Sequence, residues 1–160
     1  MNDLATSRTV FLEKVEGYAS GQATRFAAPL DEIIRWSQEN GLEFTYHSGV
    51  HDLVKFSIPG SKAAFWSATP RTGDGAKLTL LNDLRFPESL RTLAREELAS
   101  IDGKSPRADG VPEVAFTKLI WGPYRVRLLS LMARLLDGMR RPEPEVIPEP
   151  VAGATPVEEL

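Results

Sequence analysis

From Leu53 to Leu81 the chain reads LVKFSIPGSKAAFWSATPRTGDGAKLTLL, and the reading of this stretch decides the fold. In Leu53–Ile58, Val54, Phe56 and Ile58 alternate with Lys55 and Ser57. A period of two marks a half-buried strand. Pro59-Gly60-Ser61 supplies a turn. Ala63–Thr69 is aromatic and small, and reads as a second strand. Pro70 to Gly75 ends in Asp74-Gly75, a pair suited to the positive φ of a hairpin. Lys77–Leu81 is the return strand, with Leu78 and Leu80 on the Val54/Phe56/Ile58 side. Short connections of this kind pair strands antiparallel. A shorter run, Phe44–His47, is expected to precede them. The opposite face carries Lys55, Ser57, Lys77 and Thr79, with either Ser67 or Trp66 according to register.

Outward from the meander, helical periodicity appears on both sides. Phe11, Val15 and Tyr18 stripe a helix over 8–19. Pro29 suits a first helical position, so a second helix is expected over 29–40, with Gly41 just beyond it. A third is expected from Pro87 to Ser100. It buries Leu90, Leu93, Ala94, Leu98 and Ile101 and leaves Arg91 and Arg95 wet. Asp102–Pro112 is punctuated by Gly103, Pro106, Gly110 and Pro112 and reads as a loop. Glu113–Leu119 reads as a fifth strand. Tyr124–Arg140 is the last and most apolar helix, the expected main cover of the sheet. The fold class is therefore α+β. We expect a single domain over 6–141, with a mainly antiparallel four- to five-stranded sheet covered by helices. Pro142 to Leu160 mixes prolines and glutamates, which predicts a disordered acidic tail.

The 160 residues suit one domain. Cysteine is absent, which removes disulfides, thiolate metal sites and cysteine chemistry. No secretory leader is read at Met1–Leu4, and Leu128–Met139 is too short and charged to span a bilayer. The expected address is the cytoplasm, away from membranes. Net charge is −3. Setting aside the five tail glutamates leaves 17 acids against 19 basic residues, so the body is near +2. The 104–141 stretch is locally basic, which permits an anionic partner.

Catalytic motifs are thin. His47, His51 and Asp52 are the types of a two-histidine, one-carboxylate metal site, but no further ligand is near in sequence. Restriction-type nucleases need an acid and a lysine two residues apart on one strand. Here Asp74 precedes Lys77 by three, and Glu113 precedes Lys118 by five. Ser48 lies outside any nucleophile elbow. Pro59-Gly60-Ser61-Lys62 lacks the second glycine of a phosphate loop. No cofactor is expected.

Anion binding has the better pattern. Arg127, Arg134 and Arg141 recur every seven residues, which keeps them on one helical stripe. Lys55, Trp66, Arg71 and Lys77 compose a basic-aromatic patch, in which lysines meet phosphate and the ring stacks on a base. The plainer reading is a solvated sheet face and a helix whose Asp137 offsets its arginines.

Three segments together resemble a family of small uncharacterised α+β domains, found alone or appended to predicted DNA-restriction proteins. These are the aromatic pair Phe65-Trp66, the return strand Lys77–Leu81, and Val111-Pro112-Glu113-Val114 leading to a Leu-rich helix. The likeness is of hydrophobic pattern and carries no site residue. Arg107-Ala108-Asp109-Gly110 stands where that family has a His-Gly stretch. The expected function is thus an accessory binding module contacting nucleic acid or another anionic partner. The alternatives are a metal-dependent hydrolase or nuclease, and a protein-interaction domain recruiting its partner through the tail.

Overall fold

Val54, Phe56, Trp66, Ala68, Leu78 and Leu80 are all fully or almost fully buried, and they face one way. Their alternation builds the sheet seen in the computed structural model, which describes residues 3–45, 54–106 and 110–140. The strands are β1 (Glu43–Phe44), β2 (Val54–Ser57), β3 (Trp66–Arg71), β4 (Gly75–Leu80) and β5 (Glu113–Ala115). They pair antiparallel throughout, in the order β1-β2-β3-β4-β5. The α+β architecture is the one the hydrophobic pattern implies.

Register settles which aromatic faces inward. Phe56 pairs with Trp66, and Trp66 with Leu80. The indole stacks on Phe56 at 5.3 Å and 11°. Its Nε1–H donates to Ser37 Oγ at 2.7 Å, and that hydroxyl donates to Ile33 O at 2.8 Å. A buried indole therefore keeps its polar atom satisfied. Ser67 takes the outer face, so Trp66 is corrected from binding-platform residue to core residue.

The β3–β4 hairpin also differs in detail. Arg71 pairs with Gly75, leaving Thr72, Gly73 and Asp74 as the loop. Gly73 and Gly75, rather than Asp74, take positive φ. At Gly75 (φ 104) an added Cβ would lie 3.1 Å from Phe26 Cε2 and 3.2 Å from Val15 Cγ1. Backbone conformation and helix packing both require glycine there.

Four helices complete the fold: α1 (Leu4–Tyr18), α2 (Gln22–Glu39), α3 (Glu88–Asp102) and α4 (Gly122–Arg140). Asp3 caps α1, its Oδ1 accepting from Thr6 N at 2.9 Å. The second helix begins seven residues before Pro29, which lies buried inside it. Its start is held from outside: Glu16 of α1 accepts from Gly21 N and Ala23 N at 2.8 and 3.3 Å. Proline removes one helical donor, and tertiary packing outweighs that loss here. The fifth strand is also shorter than expected. After Ala115 the chain turns into a 3-10 segment, Phe116–Ile120. This packs Phe116 against Phe26 and Phe11, at ring distances of 4.9 and 6.1 Å.

Helix α1 packs against β2, β3 and β4, whereas α3 packs against β5 and α4. The 3-10 segment contacts both α2 and α4. Arg95 is a further correction, because at 7% exposure it is buried rather than wet. Among the described residues no helix is long and apolar enough to cross a membrane.

Candidate anion-binding face of the sheet

With the apolar side chains committed inward, the outer face presents one polar row across the sheet. Lys55 pairs with Ser67, Ser67 with Thr79, and Thr79 with Glu113. Thr45 extends the row, since its N–H donates to Lys55 O at 2.9 Å. At ~4.8 Å per strand, Lys55 and Glu113 stand about 14 Å apart. Between them Ser67 Oγ and Thr79 Oγ1 share a 2.7 Å hydrogen bond.

The two ends of this row differ in charge. At the β4–β5 end each cation is matched. Arg71 makes two bonds to Asp74, of 2.8 and 2.7 Å, and its Nη1 lies 3.7 Å from Glu113 Oε2. Lys77 Nζ meets Glu113 Oε1 at 3.1 Å. Hydrogen bonding from Arg71 holds the Asp74 carboxyl below its usual range, and the same bond raises Arg71. Arg71 and Lys77 are thus occupied by their own carboxylates.

At the β1–β2 end the cations outnumber the acids. A cleft of about 600 Å³ is lined by Thr45, Lys55, Ser61, Lys62, Asn82 and Arg85. Lys55 and Lys62 have no ion-pair or hydrogen-bond acceptor for their ammonium groups among the described residues. One acid, Asp83, also lines the cleft and is engaged by Arg85 at 2.8 Å. Hydrogen bonds from the Arg85 side chain and then its backbone N–H lower Asp83 to about 2. Two ammonium groups unpaired among the described residues, beside the Arg85–Asp83 ion pair, focus a positive field in one concavity.

Two loops shape the cleft. In the first, Gly60 takes φ 85 and Ser61 N bonds to Ile58 O at 2.9 Å. Ser61 Oγ then accepts from Ala63 N at 3.2 Å. In the second, fully buried Leu81 takes φ 52, a left-handed conformation costing a side-chain-bearing residue ~1–2 kcal/mol. Leu81 N bonds to Phe65 O at 3.0 Å, tying the second loop to the first. Leu84, 84% exposed, lies in the second loop. Arg85 and Leu84 were not singled out from sequence, and Lys62 entered only through the incomplete phosphate-loop pattern Pro59-Gly60-Ser61-Lys62. The signal that points to them is the pair of turns bracketing β3 and β4, Pro59–Lys62 and Asn82–Phe86, which antiparallel pairing brings to the same end of the sheet.

The other proposed contacts are scattered. Arg127 Nη2 bonds to Ser100 Oγ at 3.0 Å and lies 3.7 Å from Glu97 Oε1. Arg134 is exposed. Arg141, His47, His51 and Asp52 lie outside the described residues. Among those described, no three His, Cys, Asp or Glu side chains group to hold a metal ion. Of the seven residues chosen from sequence, the structure brings together Arg71 and Lys77 through Glu113, and places Lys55 in the row beside them. No family model, curated protein or solved structure matches this chain.

Proposed function

We propose that this chain is an accessory binding module whose outer sheet face docks an anionic partner, with nucleic-acid phosphate the favoured ligand. The observation that carries the reading is the cleft between Lys55, Lys62 and Arg85, where two ammonium groups without an acceptor among the described residues stand beside hydroxyl and amide side chains. Lysine meets phosphate as a point charge, and Thr45, Ser61 and Asn82 add hydrogen bonds to its oxygens. With Trp66 in the core, recognition rests on backbone phosphate rather than base stacking. The patterned likeness to domains appended to predicted DNA-restriction proteins leans the same way. At the β4–β5 end of this face the acids Asp74 and Glu113 are engaged by Arg71 and Lys77.

Fluorescence anisotropy with labelled single- and double-stranded oligonucleotides tests the reading. Affinity should fall steeply with salt as counterions are released. Lys55→Gln and Lys62→Gln should each reduce the logarithmic salt slope by about 1 if each contacts one phosphate. Absence of binding at low salt rejects nucleic acid as the ligand.

A further inference from the structure

At the far end of the hydroxyl row, Glu113 borders a second cleft of about 280 Å³, which also takes in Arg95, Asp102 and Lys104. Arg95 and Asp102 are seven apart in α3, two turns along one helix face. Both are charged and deeply buried: Arg95 is 7% exposed and the Asp102 side chain 6%. Charges removed from water this far require partners.

Their partners are incomplete in opposite senses. Arg95 Nη2 donates to Glu88 Oε2 and to Thr92 Oγ1, each at 2.9 Å. The N–H groups on Nε and Nη1 have no acceptor among the described residues. Asp102 Oδ1 accepts from Ala115 N at 3.4 Å, a long bond, while Oδ2 receives Lys104 Nζ at 3.2 Å. Lys104 is itself 69% exposed, so its ammonium reaches Asp102 from solvent. The Arg95 end of this helix face therefore offers spare charge-assisted donors. The Asp102 end already seats an ammonium, delivered by a long flexible side chain that a competitor displaces at small entropic cost.

We propose that this cleft binds a small zwitterion: a carboxylate on Arg95 and an ammonium on Asp102, where it replaces that of Lys104. The volume lies just below the usual range of ~300–1,000 Å³ for small-molecule sites and suits a compact amino-acid-like ligand. Two cations, Arg95 and Lys104, and two acids, Asp102 and Glu113, balance among the described lining residues, whereas cations outnumber acids in the cleft at the other end of the row. Glu113 is held by Lys77 and Arg71, so the ammonium falls to Asp102.

Calorimetry and thermal shift on the full chain test this with glycine, L-serine and L-glutamine at millimolar concentration. Acetate and methylammonium serve as the two halves. The zwitterions should bind, and each half about tenfold or more weaker. Lys104→Ala removes the competing ammonium at an exposed position and should tighten glycine binding several-fold. Asp102→Asn and Arg95→Gln should abolish it. Should Arg95→Gln fail to fold, Lys104→Ala and Asp102→Asn still decide. The proposal is overturned by no binding of any zwitterion, by acetate binding as tightly as glycine, or by Lys104→Ala leaving affinity unchanged.

Discussion

The two faces of the sheet are made by the same strands, residue by residue in alternation, yet they are built by different rules. Inward, Phe56, Trp66 and Leu80 form one fully desolvated row, and its single polar atom finds Ser37. Outward, the matching row is Lys55, Ser67, Thr79 and Glu113. Inner positions gain their energy from burial, so loss of one side chain is felt by the whole fold. The charged outer positions contribute little apiece, because part-exposed ion pairs are worth only ~0–1 kcal/mol. The outer face is therefore free to carry an uneven charge distribution, with ion pairs at one end and spare ammonium groups at the other. A face that binds needs that freedom, and a core cannot provide it.

Truncation of the central aromatic sharpens the contrast most. Trp66→Ala should cost ~3–5 kcal/mol in urea unfolding. A loss under ~1 kcal/mol breaks the assignment of Trp66 to the core. Ser37→Ala keeps the packing but strands the indole N–H, and should cost ~1–3 kcal/mol. On the outer face, Thr79→Val removes the Ser67 bond at nearly constant volume, and its cost should be about 1 kcal/mol by the same assay. Lys55→Glu should shift stability by less than ~0.5 kcal/mol. It should nevertheless weaken anion binding, which separates face from core in one variant.

The smallest effect is electrostatic. Asp83 is lowered from 3.8 to about 2 by Arg85. A carboxyl lowered on folding adds stability that is fully present above its unfolded value and is lost as pH falls through its folded one. Carbon-detected NMR should place the Asp83 midpoint near 2. In Arg85→Ala it should return toward the ordinary aspartate value. Asp83→Asn should strengthen binding of anions in the cleft at neutral pH, since it deletes the acid that offsets Arg85 there.

The inner face was legible in the sequence because hydrophobic alternation and short turns are local signals. Val54, Phe56, Leu78 and Leu80 declare their side by their neighbours. Ala63–Thr69 does not, because it lacks polar alternation. Only pairing with β2 and β4 decides between Trp66 and Ser67. Pro29 misled because the carboxylate that caps the true helix start, Glu16, belongs to another helix. Arg95 misled because its neighbour Arg91 and partner Glu88 look like a solvated helix surface. The basic cleft was half legible. Lys55 follows from the strand pattern, but Lys62 and Arg85 reach it through two loops whose approach depends on the left-handed Leu81. Neutralisation of Lys77 by Glu113 was hidden because the two are 36 residues apart and meet only through the β4–β5 register.

The most direct test of the binding face is anisotropy of a labelled oligonucleotide with the full chain, across salt, comparing the unaltered protein with Lys55→Glu/Lys62→Glu and with Arg134→Glu. The account expects salt-sensitive binding that the cleft variant abolishes and the helix variant leaves within about twofold. Binding that survives reversal of both cleft lysines, or that is lost with Arg134 instead, contradicts it.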